Sequence, residues 1–332
     1  MKNIPVEIMV MILDLLDFKT QRRFIFASKT NKYLLKYWII KEIIYVNKKI
    51  LEWCYFDHLE NIMIEGLLNV YPKKLRYLSF SGDFNEQIDK DTIPKSVTHL
   101  KFGLCFNQTV DHLPSSIKSI KFGYRFNQSV DKLPLSIKNI EFGNRFNQIV
   151  DNLPVSIKNI EFGECFNQTV DNLPSSIKSI KFSICFNQTV DNLPLSIKNL
   201  EFGNYFNQTV DKLPSSIKNI KFGQKFNQSI KNLPSSITHL QISLDFKQPL
   251  EDIPSSVTHL ITHCKRLNGK IPETVTHLTI YNTQFEEEQI PQSVTHLIIK
   301  GIHFNNNNKI PKTVTHLTIA TLEILIANRK KI

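Results

Sequence analysis

Two sets of residues in this chain recur at a spacing that invites a chemical reading. Asp111, Asp131, Asp151, Asp171, Asp191 and Asp211 recur every 20 residues, and serines precede each repeated Ile or Val. General acid or nucleophilic chemistry needs a few dissimilar groups converging at one place, and a ladder of identical groups offers none. The second set is His239, His259, His277, His296 and His316. Clustered imidazoles repel when protonated and can converge on zinc or copper, so a metal array and a pH-responsive patch are both readings of that row. The companion row Thr238, Thr258, Thr276, Thr295 and Thr315 shows that a whole Thr-His-Leu unit is copied, and copying alone would produce the ladder. No carboxylate recurs beside the histidines to orient them, so no metal site, catalytic residue or cofactor is assigned. No nucleotide-binding glycine fingerprint is present either.

Both ladders are consequences of a longer period. Pro94, Pro114, Pro134, Pro154, Pro174, Pro194, Pro214, Pro234 and Pro254 lie 20 residues apart. A fixed period of this length marks a solenoid, in which each unit buries its apolar face only against its neighbours. Within one unit, Ile140 and Phe142 alternate with Asn139 and Glu141, which predicts a short strand with the first pair inward and the second outward. Gly143 marks the strand exit, Phe146 and Val150 turn inward again, and Leu153 precedes the proline of the next unit. About 20 residues leave no room for a full helix, so the return is predicted to be extended, turn-like or one 3-10 turn. The strands should stack about 4.8 Å apart as a parallel sheet. That stacking would align Phe122, Phe142 and Phe162 in one aromatic ladder and Phe126, Phe146 and Phe166 in another. Asparagines such as Asn107, Asn127 and Asn147, directly after the second phenylalanine, are predicted to bond the backbone of adjacent coils.

The exposed strand positions carry the variation. One row reads Lys101, Lys121, Glu141, Glu161, Lys181, Glu201, Lys221 and Gln241, with mixed signs. The other runs through Ser119, Asn139, Asn159, Ser179, Asn199 and Asn219 before switching to the histidines. These lysines, glutamates and histidines form the candidate face for an unidentified target protein. The net charge of +11 and pI near 9.3 would suit an anionic partner, and Lys118 to Lys218 form a single-sign row. A nucleic-acid groove would also need exposed aromatics, and the phenylalanines here are claimed by the core. Nucleic acid is therefore disfavoured.

The five cysteines include no CxxC pair. Cys165 and Cys185 fall one period apart, so a disulfide between them is sterically conceivable, with free thiols in a reducing compartment as the preferred reading. No leader-like segment and no apolar run of roughly 18 residues is present, so the expectation is an intracellular protein without a membrane span.

Before the repeats, residues 8, 12 and 15 form an apolar helical stripe, with Pro5 where a first-turn proline is tolerated. Thr20 is a candidate N-cap for a second helix through Ile25, and a third helix is expected from about Thr30 through Leu34, Leu35 and Trp38. The run Ile4-Pro5-Val6-Glu7-Ile8, the Ile12-Leu13 pair, the Phe24 to Lys29 segment and Trp38 resemble an F-box over residues 2–46. That resemblance implies docking on the Skp-type linker subunit of a cullin-RING ubiquitin ligase, with Ile4, Pro5, Ile8, Ile12 and Leu13 forming much of the surface. A helical cap that only shields the first repeat is the alternative.

The Phe-Asn-Gln and Leu-Pro-x-Ser-Ile runs look like the FNIP repeat, a relative of leucine-rich repeats that often follows an F-box. The expected architecture is a leucine-rich-repeat-like solenoid with one short parallel strand per repeat and a small N-terminal α-helical F-box-like domain. Its segments are a helical domain at 1–46, an apolar connector at 47–71, repeats at 72–320 and a basic tail at 321–332.

Overall fold

The structure, a computed structural model, describes residues 9, 11–12, 15–26, 39–46, 51, 56–264, 266–281, 285, 287–301 and 310–320. It divides into two units, the first comprising Met1–Gln128 with Lys132–Ile137 and the second Ser129–Asp131 with Lys138–Ile332.

The first unit contains helix α1 (Phe18–Phe26) and strands β1 (Ile40–Tyr45), β2 (Leu59–Ile64), β3 (Tyr77–Phe80), β4 (His99–Lys101) and β5 (Ser119–Lys121). Helix α1 is capped one turn earlier than the sequence suggests. Asp17 Oδ1 accepts the Thr20 amide at 2.9 Å and Oδ2 accepts the Thr20 hydroxyl at 2.9 Å, so Asp17 is the N-cap and Thr20 lies inside the helix. Those two bonds hold the Asp17 carboxyl below its ordinary range. The five strands pair in parallel in sequence order. The sheet therefore starts at Ile40, inside the 1–46 segment, where no repeat pattern announces a strand. Ile4, Pro5, Ile8 and Leu13, together with most of the third expected helix, lie outside the described residues; Ile12 is described and exposed.

The second unit contains β6 (Asn139–Glu141), β7 (Asn159–Glu161), β8 (Ser179–Lys181), β9 (Asn199–Glu201), β10 (Asn219–Lys221), β11 (His239–Ile242), β12 (His259–Thr262), β13 (His277–Tyr281), β14 (His296–Lys300) and β15 (His316–Ala320). Strand length grows from three residues in β6 through β10 to four in β11 and β12 and five from β13 onward. All pair in parallel and in register, so each residue lies beside its counterpart one repeat away. This is a parallel β-solenoid with one strand per coil.

One coil shows how the repeat folds. Ile157, Ile160, Phe162, Phe166, Val170 and Leu173 are all buried, whereas Asn159 and Glu161 face outward. Two turns make the return, closed by Ile157 N–H to Pro154 O at 3.2 Å and Phe166 N–H to Gly163 O at 3.3 Å. Gly163 packs against the coil before it; a Cβ there would lie 1.9 Å from Gly143 O. Both phenylalanine ladders form. Phe162 and Phe182 are 5.4 Å apart, Phe166 and Phe186 6.1 Å, and within a coil Phe182 and Phe186 stack at 3.7 Å. In this unit the imidazoles on the outer strand face stack at 4.1 to 4.2 Å.

The asparagine ladder bridges coils as the sequence suggests. Asn187 N–H donates to Asn167 Oδ1 at 2.9 Å, Asn207 N–H to Asn187 Oδ1 at 2.8 Å, and Gln208 Nε2 to Asn187 O at 3.1 Å. The serines add another such row, with Ser216 Oγ donating to Ile197 O at 2.6 Å.

Candidate binding face

The mixed-charge row is in register. In the second unit Glu141, Glu161, Lys181, Glu201, Lys221 and Gln241 lie side by side on consecutive strands. The alternation is largely consumed within the row. Lys181 Nζ pairs with Glu161 Oε1, and Lys221 Nζ lies 2.6 Å from Glu201 Oε1. Contact with Glu161, and more distantly with Glu201 and Glu141, raises the Lys181 ammonium above its ordinary value. Half-exposed pairs of this kind contribute about 0 to 1 kcal/mol of stability, so the row sets a potential more than it holds the fold. In the first unit Lys101 and Lys121 are register partners.

Beside this row, Asn159 Nδ2 donates to Asn139 Oδ1 at 2.6 Å, a side-chain amide ladder on the outer face. From β11 onward its place is taken by histidines. Rings 239 and 259, 259 and 277, 277 and 296, and 296 and 316 stack at 4.2, 4.1, 4.2 and 4.2 Å.

Each imidazole is oriented by the threonine that precedes it. Thr258 Oγ1 lies 2.9 Å from His259 Nδ1 and 3.4 Å from Thr238 O. Thr238, Thr276, Thr295 and Thr315 repeat the contact at 2.9 to 3.0 Å, and Thr98 with His99 makes it in the first unit. The copied threonine is thus the orienting partner that a search for carboxylates passes over. A hydroxyl that donates to the carbonyl accepts Nδ1–H; one that donates to Nδ1 leaves the hydrogen on Nε2. In either arrangement Nδ1 is engaged and only Nε2 is offered outward. Stacked rings point their lone pairs parallel, so neighbouring Nε2 atoms do not converge on a common ion as zinc requires. Among the described residues no group of three or more His, Cys, Asp or Glu is placed to hold a metal ion.

Two rings of the ladder, His259 and His296, resist protonation. Burial, then the charges of His239, His277 and His296, hold His259 below its ordinary value of 6.5; burial, then His277 and His316, do the same for His296. The folded state therefore binds protons more weakly than the unfolded chain. Its stability is complete above the unfolded value near 6.5 and drains as pH falls below that value through the lowered folded ones. The urea midpoint of the second unit should fall between pH 7 and pH 5, roughly one and a half units below the unfolded value at the lower limit. The variant His259→Gln with His296→Gln should flatten that slope. Equal slopes in the two proteins would show that the ladder is not its source.

Cys105, Cys165, Cys185 and Cys264 are free thiols. Burial, and secondarily Cys165 and Glu164, push the Cys185 thiol up, away from the reactive thiolate. Among the described residues no helix is long and apolar enough to cross a membrane.

Sequence reasoning also passed over a third outward row. At the phase of Gly223 the chain reads Ser243, His263, Tyr281 and Lys300, and His263 stacks on Tyr281 at 4.1 Å. No residue type repeats there, so only comparing successive coils at one phase would have exposed it.

A comparison with curated proteins returns no match. Among solved structures, the crystal structure of CroV588, described as a novel circular LRR protein, is 36% identical with a TM-score of 0.68, covering 80% of this chain and 43% of that one. This chain thus spans less than half the length of that relative. YopM from Yersinia enterocolitica WA-314 is 16% identical with a TM-score of 0.45, covering 79% of this chain and 64% of that one. The FNIP Repeat family matches residues 67–105, 106–145, 130–165, 146–185, 186–225, 209–245, 226–265 and 281–321. With a strand-per-coil solenoid, an internal Phe-Asn-Gln ladder and these matches through most of its length, the chain belongs to the FNIP repeat family.

Proposed function

We propose that this chain is a protein-recognition module whose target lies against the exposed strand face, and that residues 1–46 attach it to a cullin-RING ubiquitin ligase through a Skp-type linker subunit. One observation carries the first half. Inward positions repeat with almost no variation, while the outward positions change along the stack, from Glu141 to Lys221 in one row and from Asn219 to His239 in the other. The constant positions build the coil and the variable ones are left to distinguish partners, with charge complementarity governing the choice. The second half rests on the resemblance of Ile4, Pro5, Ile8, Ile12 and Leu13 to the F-box docking surface. The catalytic step of such an assembly belongs to other subunits, and this chain would supply position alone.

The two halves are tested separately. Polypeptides captured by the full-length chain should be lost on Lys181→Glu, which leaves four consecutive acidic positions from Glu141 to Glu201, and on His277→Asp, with circular dichroism unchanged. Retention of every captured species by both variants would move the target off this face. The linker subunit should co-purify with the wild type and lose about tenfold or more of its recovery on Ile8→Asp, a charge buried in an apolar contact. Failure of the wild type to recover it leaves a free-standing repeat scaffold with a helical cap.

A further inference from the structure

The third outward row lies at the coil exit, the phase that glycine holds in most of the earlier coils. After β9 and β10 the coil exit presses on the preceding coil. A Cβ at Gly203 would lie 1.7 Å from Ser183 O, and one at Gly223 1.9 Å from Gly203 O. From β13 the strands run on past this point, so Tyr281 and Lys300 are paired strand positions at this phase, while Ser243 and His263 directly follow β11 and β12. The outer face is therefore low over Gly223 and high at His263. At the foot of that step lies a cavity of about 300 Å³ lined by Lys221, Gly223, Gln241, Ser243, His263 and Tyr281.

The wall of the step is ordered. His263 lies against Tyr281 with rings 15° from parallel, and the Lys300 ammonium sits over the Tyr281 ring, 5.2 Å from its centroid and 3.2 Å from its hydroxyl. Gln241 Nε2 donates to His263 Nε2 at 3.2 Å, which places the proton of the neutral ring on Nδ1. Burial first, and then the ammoniums of Lys221 and Lys300, hold His263 below its ordinary value. The imidazole is thus neutral at pH 7 between two cations. Glu201 is the carboxylate that answers Lys221, at 2.6 Å.

We propose that this step is an anion-binding pocket, in which Lys221 and Gln241 receive one carboxylate or phosphate group of a partner polypeptide beside the His263 ring. The proposal rests on the protein-recognition reading for its partner and on the local geometry for its chemistry. Charged ammonium and neutral amide donors suit an oxyanion, and the stack of His263 on Tyr281 and Lys300 keeps the site formed before the ligand arrives. An entering anion must compete with Glu201 for Lys221, which gives the site a signature that a merely basic surface lacks.

The test uses the full chain and the His263 Cε1–H resonance, assigned by its loss in His263→Gln. Titration with inorganic phosphate, and separately with acetate, should shift that resonance saturably and raise the pH at which His263 protonates. Lys221→Met should weaken the midpoint about tenfold, the loss of one charge-assisted contact, and Glu201→Gln should strengthen it. A response to phosphate alone identifies phosphate groups as the ligand, and a response to acetate alone identifies carboxylates. The pocket is overturned if neither ion moves His263 more than it moves His259, or if Glu201→Gln fails to tighten binding in a chain whose circular dichroism is unchanged. A silent His263 in a chain that still captures polypeptides removes the pocket and leaves the recognition face standing. A responsive His263 in a chain that captures none does the reverse.

Discussion

Replacing Phe186 by alanine should lower the stability of the second unit by about 3 to 5 kcal/mol, the usual loss for a fully buried phenylalanine. Its ring is inaccessible to solvent and stacks on Phe182 in its own coil at 3.7 Å, with Phe166 and Phe206 at 6.1 Å on either side. In a stack where each coil touches only its neighbours, such a hole weakens two interfaces at once. Phe246 ends the ladder, with Phe226 at 6.2 Å as its stacked neighbour, so Phe246→Ala should cost less. Urea unfolding followed by circular dichroism separates the two. Equal midpoints for both variants would mean that the ladder does not carry the coil-to-coil coupling assigned to it.

The second large effect is polar. Asn187→Leu should cost about 1 to 3 kcal/mol, because it removes the acceptor of the half-buried Asn207 amide and leaves that N–H without its partner at 2.8 Å. Asn187→Asp keeps the oxygen and should retain most of the stability. The Asn207 amide reports the difference directly, through its hydrogen-exchange protection. Protection that survives the leucine variant would show the inter-coil bond to be dispensable.

Much of this architecture is legible in the sequence, for a simple reason. A parallel in-register stack converts a 20-residue period into a set of straight ladders, so the phase of a residue is also its place in space. That is why the inward alternation of Ile160 and Phe162, the Asn ladder and the alignment of the five histidines could be read before any coordinates. What escaped depends on short-range geometry that phase does not encode. Thr258 and His259 are sequence neighbours, which simple alternation would send to opposite faces. Thr258 instead precedes β12, and its hydroxyl reaches back to Nδ1. The pairing of Lys181 with Glu161, and of Lys221 with Glu201, turns a row that reads as free charge into one largely closed on itself. The early start of the sheet at Ile40 has no periodic neighbour to announce it. At the other end, Gly223, Ser243, His263 and Tyr281 read as a pattern decaying, because the stacking of His263 on Tyr281 that relates them is visible only in the fold.

The inter-coil bonds have a consequence for how such a chain can change through time. From Asn147 to Asn227 every coil donates backwards and accepts forwards in the same way, so Asn187 stands to Asn167 as Asn207 stands to Asn187. An unequal crossover that removes or inserts one whole 20-residue period within this stretch restores each donor to an acceptor, wherever in the coil the exchange occurs. Length is then a heritable variable that folding hardly constrains. The outward residues travel with their coils, so each gain or loss of a period recombines the exposed strand face while the core remains the same. The later proline spacings of 18, 19 and 20 residues, from Pro254 to Pro272, Pro291 and Pro311, have left that regime. There the coils are individuals, and it is there that the histidine ladder and the stepped pocket are found.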